Sequence, residues 1–159
     1  PNPSKINKFN KNTKYACFVQ KNFSLKFNLL NESEPTWYGT RMCRKKDLKS
    51  PQWLRDIKAR NRPFYKFFKP KFDQFIDDGG WHFSSVKSAE DIFKKLNSYA
   101  EQQWNNAKFK NMDIIKRKIK NKEDLFDRKH KFKVINIDTG FPDYICKNKE
   151  KFKDFIYSN

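Results

Sequence analysis

Glycine is scarce in this chain, four residues in 159, and two of the four are neighbours, Gly79 and Gly80. There is no P-loop, no dinucleotide-binding fingerprint, no Gly-x-Ser-x-Gly elbow and no zinc spacing, so the enzyme classes that carry those signatures find no support. No run of about 18 apolar residues occurs, which leaves no membrane span in this stretch, and no signal-peptide pattern is visible. Cysteine is limited to Cys17, Cys43 and Cys146. They lie far apart, make no metal-ligand spacing and cannot all pair within the chain. Their apolar and aromatic flanks predict reduced, buried thiols and a reducing compartment. Histidine occurs twice, at His82 and His130. Apolar residues are also below the usual share for a globular domain, at 36%. What compensates is aromatic content: 17% of residues, including 17 phenylalanines. Each such ring buries a large area, so a core of fewer, larger side chains is expected, in one domain.

Charge is strongly one-sided, with 36 Lys+Arg against 18 Asp+Glu, a net +18. Such a surplus attracts nucleic acid, anionic lipid or phosphorylated substrates. The excess is mostly Lys and comes with many Asn, Ile and Phe, the mixture an AT-biased genome writes at tolerant surface sites. It is dispersed along the chain, whereas a nucleic-acid binder gathers it on one face, so no specific nucleic-acid partner is expected.

Residues 4–10 read as a short helix with Ile6 and Phe9 on one face. The apolar run 15–20 predicts a buried strand, and the alternation of Phe23, Leu25 and Phe27 predicts a half-covered one. Residues 31–35 form a turn, and 37–42 another short strand. Ser50-Pro51 opens a helix running to Ala59, with Ser as cap and Pro at the first helical position. Residues 61–70 read as a packed irregular loop. A strand over 72–76 ends at the acidic glycine turn, and 81–84 is extended again. Ser88 caps a helix over 89–105 with Ile92, Phe93, Leu96, Tyr99, Ala100 and Trp104 at helical spacing. Further helices are expected over 112–119, burying Ile114, Ile115 and Ile119, over 124–128 as a single turn, and over 142–155. A short strand is expected over 134–137. Strands and helices intermix, so the class is α/β or α+β.

Three groupings could carry chemistry. The first is Asp77-Asp78-Gly79-Gly80-Trp81-His82. Adjacent glycines let backbone approach a ligand, while two carboxylates and an imidazole are the parts that hold a divalent metal or deprotonate a hydroxyl. An ordinary Asx-stabilised turn uses the same residues. The second is a basic and aromatic segment in which Arg41, Arg44, Arg55, Arg60 and Arg62 interleave with Trp37, Tyr38, Trp53, Phe64 and Tyr65. Arginine forks grip diphosphate, and aromatic faces stack on bases or sugars. The third is Glu101-Gln102-Gln103, a carboxylate within an aromatic-rich helix. His130 sits in the run Arg128-Lys129-His130-Lys131 and is expected to be solvated.

The motif Asp78-Gly79-Gly80-Trp81-His82-Phe83-Ser84 resembles the signature of glycosyltransferase family 17, which includes the β-1,4-mannosyl-glycoprotein N-acetylglucosaminyltransferases. Trp37-Tyr38-Gly39-Thr40-Arg41 and Asp47-Leu48-Lys49-Ser50-Pro51-Gln52-Trp53-Leu54-Arg55 resemble the same family. So do Ser88-Ala89-Glu90-Asp91-Ile92, Ser98-Tyr99-Ala100, Phe141-Pro142-Asp143-Tyr144-Ile145 and Asn148-Lys149-Glu150-Lys151-Phe152. Where relatives carry His-Gln-Glu, this chain has Glu101-Gln102-Gln103. The resemblance implies an α/β chain forming the latter half of a glycosyltransferase-A type fold, a mixed sheet flanked by helices. Residues 1–159 would then be a partial catalytic domain beginning at Pro1-Asn2-Pro3, just after a metal-binding Asp-x-Asp element and the amino-terminal nucleotide-binding half, and inactive alone.

It further implies inverting, metal-dependent transfer from a nucleotide-sugar donor, UDP-GlcNAc, to a mannose-type glycan acceptor, with Mn2+ or Mg2+ as the divalent metal. The expected site has Asp78 as first candidate for the catalytic base, Asp77 as the second and Glu101 as a distant third. Gly79, Gly80, Trp81, Arg41 and Glu101 would bind substrate, and His82 would contact the metal or diphosphate. The setting would be cytoplasmic or membrane-surface, bacterial or viral. A nucleic-acid-binding module and a non-catalytic glycan- or partner-binding domain are the alternatives.

Overall fold

The computed structural model describes residues 1–59, 70–98 and 111–158. The strands are β1 (Tyr15–Phe18), β2 (Gln20–Ser24), β3 (Leu29–Asn31), β4 (Thr36–Trp37), β5 (Arg41–Cys43), β6 (Gln74–Ile76), β7 (Trp81–Ser84) and β8 (Phe132–Val134). The α-helices are α1 (Pro51–Asp56), α2 (Ala89–Asn97), α3 (Met112–Lys120) and α4 (Asp143–Lys147). The class is mixed α/β, as expected. The chain forms two compact units, Pro1–Lys21 with Thr36–His82, and Asn22–Pro35 with Phe83–Asn159, so the boundary falls within β2 and within β7. No helix among the described residues is long and apolar enough to cross a membrane.

In the first unit β1 is the middle strand of a mixed sheet ordered β5-β1-β6. It pairs antiparallel with β5 (Cys17 opposite Arg41) and parallel with β6 (Phe18 opposite Ile76). All four of its residues are buried, as a continuous apolar run predicts for a strand covered on both faces. Ala16 and Phe18 pack with Ile76, Phe9 and Met42 on one side. Tyr15 and Cys17 pack with Ile57, Phe72, Trp53 and Leu54 on the other. Ser50 caps α1 by accepting the Trp53 N–H at 3.1 Å, with Pro51 at the first position, as the sequence indicates. The helix stops at Asp56, short of Ala59, because Ile57 turns extended and sinks into the core at 4% exposure. The first segment is a 3-10 helix, Pro3–Lys8, capped by Asn2.

Burial also decides the chemistry of Cys17. Its thiol is pushed up to about 11 by burial, with the Arg41 charge working weakly the other way. A protonated, enclosed thiol is a poor nucleophile. At pH 8, alkylation followed by mass spectrometry should modify Cys43 and Cys146, both only half-buried, well before Cys17. Equal labelling of all three in folded protein would contradict that burial. The expectation of three buried thiols therefore holds for Cys17 alone.

In the second unit the alternation of Phe23, Leu25 and Phe27 does not make a strand. β2 ends at Ser24, and Leu25 adopts a left-handed backbone (φ 69) inside a tight turn closed by Lys26 N–H donating to Ser24 O at 2.8 Å. Phe23 and Leu25 are both buried, at 0% and 2% exposure. β3 pairs with β2 (Phe23 opposite Leu30) and with β8 (Leu29 opposite Val134). That register places β8 two residues before the expected start. Ser88 caps α2 through Asp91 N–H at 3.1 Å, and Ile92 and Leu96 face the core. α2 ends at Asn97. Most of its expected continuation, with Tyr99, Ala100 and Trp104, lies outside the described residues.

α3 buries Ile115 and, in place of a fully buried Ile114, the lysine Lys118 at 3% exposure. The ammonium is held by Leu125 O at 2.9 Å and Asp127 Oδ1 at 2.6 Å. Residues 124–128 make a single i→i+3 turn, Asp127 N–H donating to Asp124 O at 3.3 Å, and no α-helical turn. The Asp124 side chain also accepts the Phe126 N–H at 3.0 Å, and Asp127 is left-handed (φ 55). The closing segment is α4 followed by a 3-10 helix, Glu150–Phe155, rather than one helix. At the break the Asn148 side chain donates to Tyr144 O at 2.8 Å. Aromatic packing fills this unit as composition suggests: Phe23 touches Phe83 and Phe141, and Phe27 touches Phe83 and Phe152.

Asp124 sets an acid limit for this unit. Burial alone would raise its carboxyl, but hydrogen bonds from Arg128 and the Phe126 N–H, with the charges of Arg128 and His130, outweigh it and hold the group below the usual carboxylate range. The native state therefore binds this proton less readily than the unfolded chain. The stabilisation is complete above the unfolded value near ~4 and is lost as pH falls through the lower native value. Urea melts should show Asp124→Asn narrowing its stability deficit against the parent chain below about pH 4. A constant deficit from pH 7 to pH 2 would remove Asp124 as the source.

Candidate functional site: an aromatic and cationic cleft

The first unit contains a cleft of about 690 Å³, lined by residues of β4, β5, β7, α1 and the chain around them. Trp37, at the end of β4, lays its indole on the His82 imidazole, with ring centres 4.3 Å apart and planes 14° from parallel. Gly39 makes room for this stack: a Cβ there would stand 2.1 Å from Trp37 Nε1. Buried Gln20 braces two lining segments. Its amide donates to Trp81 O at 3.3 Å, and its carbonyl accepts from Thr40 Oγ1 at 3.1 Å.

Arg41 enters from β5. Its Nη1 and Nη2 donate to Gly39 O and Ile57 O at long distances, 3.3 and 3.4 Å, and its guanidinium lies 5.8 Å from the Phe72 ring. Its Nε is buried with no hydrogen-bond partner. Arg55, exposed in the last turn of α1, lines the same cleft. Neither arginine meets a carboxylate among the described residues, and no Asp or Glu is among the described lining residues. A half-buried guanidinium without a counter-anion, facing a cleft with flat aromatic walls, suits a ligand that has both negative charge and a ring. Burial lowers the affinity of His82 for a proton, so its imidazole is held toward the neutral form.

The expected site residues separate here. Arg41, Trp81 and His82 come together in the cleft. Asp77 and Asp78 do not line it: both are exposed, and the Asp78 side chain, 74% exposed, lies 3.9 Å from Lys5 Nζ. Gly79 and Gly80 are occupied by the fold. Gly79 N–H donates to Val19 O and its carbonyl accepts from Asn2 N–H, while Gly80 O accepts from Lys21 N–H. Glu101, Arg60 and Arg62 lie outside the described residues. Sequence reasoning overlooked Gln20 and Thr40 and did not single out the Trp37–His82 stack. The one signal for Gln20 was a polar residue closing an otherwise apolar run.

Among the described residues no three His, Cys, Asp or Glu side chains gather in a way that would hold a metal ion. His82, held neutral, is chemically able to ligate one, but the described residues do not complete a set around it. No family model, curated protein or solved structure matches the chain.

Proposed function

We propose that this chain is part of a glycosyltransferase, of the glycosyltransferase-A type, whose cleft binds a nucleotide-sugar. The reaction is inverting transfer of N-acetylglucosamine from UDP-GlcNAc to a mannose-type glycan. One observation supports this reading. Three of the separate stretches that resemble glycosyltransferase family 17 line the same cleft, together with the opening Pro1: the segment around Trp37 and Arg41, the α1 segment with Leu54 and Arg55, and Trp81-His82 of the motif. Gln20 is the one described lining residue from elsewhere.

In the reaction, an acceptor hydroxyl oxygen bonds to the anomeric carbon as the bond to diphosphate breaks. The hydroxyl proton passes to a base, and negative charge grows on the leaving diphosphate. In this reading Arg41 and Arg55 meet that charge, and Trp37 and Trp81 stack on a base or sugar ring. The base comes from outside the described lining, and Asp78 is our candidate for it. Titration of the chain with UDP-GlcNAc should change tryptophan fluorescence, and GDP-linked sugars and free sugars should bind more weakly. If no nucleotide-sugar binds while single-stranded DNA binds with a steep salt dependence, the proposal fails in favour of a nucleic-acid module. A second reading, a non-catalytic glycan-binding domain, draws on the absence of a carboxylate from the described lining. Glycan binding without any nucleotide-sugar binding would select it.

A further inference from the structure

The second unit has its own cleft, of about 660 Å³, formed by the segment between α3 and β8, the first residue of β8 and Glu32 just after β3. The sugar-transfer reading makes no use of it. His130 lines it and, contrary to the expectation that it is solvated, is 14% exposed. Its Nδ1 lies 3.3 Å from Asp124 Oδ2 and 3.2 Å from Asn31 Nδ2. Its Nε2 has no protein partner among the described residues.

These two contacts decide what Nε2 carries. The Asn31 carbonyl oxygen is taken by the Glu34 N–H at 3.0 Å, so its Nδ2 donor is turned toward the imidazole. Asn31 is 3% exposed, and a buried amide donor needs an acceptor. In the neutral ring that acceptor is an unprotonated Nδ1, which puts the proton on Nε2. In the charged ring Nδ1–H donates to Asp124, and Nε2 is again protonated. Asp124 is also bound by Arg128, at 2.9 and 3.1 Å. In both of these states Nε2–H is a hydrogen-bond donor that lacks an acceptor among the described residues, whereas a neutral ring with Nδ1–H on Asp124 would leave Nε2 bare.

The charges around it have one sign left over. Three acids of the lining are each matched by a cation outside the lining: Asp127 by Lys118 at 2.6 Å, Asp124 by Arg128, and Glu123 by Arg117 at 3.9 Å. Glu32 alone is unmatched. Against it stand three lysines of the lining: Lys129 and Lys131, which meet no carboxylate among the described residues, and Lys122, which lies over the Tyr157 ring at 4.7 Å. Lys122 and Lys129 are held at left-handed backbone angles (φ 57 and 61), an arrangement with a cost that fixes where these side chains leave the chain.

We infer that this cleft binds a phosphate group, free or carried on a sugar, with His130 Nε2–H as its fixed donor and Lys129 and Lys131 as its counter-charges. The inference is independent of the sugar-transfer reading. The chain's two histidines make it directly readable, with His82 as internal reference. In the 15N-histidine-labelled chain, the neutral His130 ring should be the Nε2–H tautomer. Inorganic phosphate or glucose 1-phosphate should shift the His130 resonances. A response to both marks a site for the bare group, and a response to glucose 1-phosphate alone a site that reads the sugar too. Because Lys129 and Lys131 are exposed, the Lys129→Ala, Lys131→Ala double variant should fold, and it should bind the same probe about tenfold more weakly. An Nδ1–H neutral tautomer, no response of His130 to either probe, or equal affinity in the double variant would each overturn the inference.

Discussion

Gly80→Ala is expected to lower the melting temperature of the chain by roughly 5–15 °C. The Gly80 backbone has φ 123, a region L-residues rarely enter, and an added Cβ would stand 2.6 Å from Asn2 N and 2.8 Å from the Pro1 carbonyl carbon. Both obstacles are backbone atoms, and Asn2 is itself tied to the turn by its N–H bond to Gly79 O at 2.8 Å. Gly79→Ala should cost a similar amount, because its Cβ would meet Phe18 Cα and Ile76 O at 2.9 Å. Strain and overpacking together amount to about 2–5 kcal/mol per site. Gly39→Ala is the useful contrast. Its Cβ would collide with the Trp37 indole, a side chain that can swing aside. Stability should hardly change, while Trp37 fluorescence responds as the indole leaves His82. Thermal melts of the three variants test this, and a Gly80→Ala chain that melts like its parent would contradict the backbone geometry.

These glycines show what was legible in the sequence and what was not. A turn at Gly79-Gly80 was readable because two adjacent glycines between apolar runs have few other uses. What the turn is for was not, since its close neighbours are Phe18, Asn2 and Pro1, all remote in the chain. The same division holds elsewhere. The caps Ser50 and Ser88 and the buried strand β1 depend on nearby residues and were read directly. Lys118 looks like any solvated helical lysine until Leu125 O and Asp127 are seen to enclose it. His130 lies in a run of charge, yet it meets Asp124 of its own segment and Asn31, which is remote in the chain. In the first cleft, Arg41, Trp81 and His82 were found by residue type. Gln20 could not be, because its role rests on two hydrogen bonds to segments far from it in sequence. Local rules find single residues and turns, and a site is made by long-range packing of several of them.

Arg41→Ala is expected to weaken binding of a UDP-sugar by about 10–100-fold and to leave binding of uncharged sugars unchanged. The guanidinium is half-buried, its Nε lacks any hydrogen bond, and its two carbonyl contacts are long, so its charge is little used by the protein itself. A ligand phosphate would supply the counter-charge that no described carboxylate does. Arg41→Lys should recover little of the loss. A lysine ammonium has no planar fork and cannot keep the contacts to Gly39 O and Ile57 O while also gripping an anion. Trp37→Ala should weaken the same ligand by about 5–50-fold through lost stacking, and should weaken uncharged ring ligands as well. On the proposed reading, the pair of variants separates two halves of recognition, charge at Arg41 and a ring at Trp37. Calorimetric titrations of the parent chain and both variants, with circular dichroism to confirm the fold, give the comparison. If Arg41→Ala and the parent chain bind the UDP-sugar equally well, the cleft does not take the diphosphate, and the assignment of Arg41 falls with it.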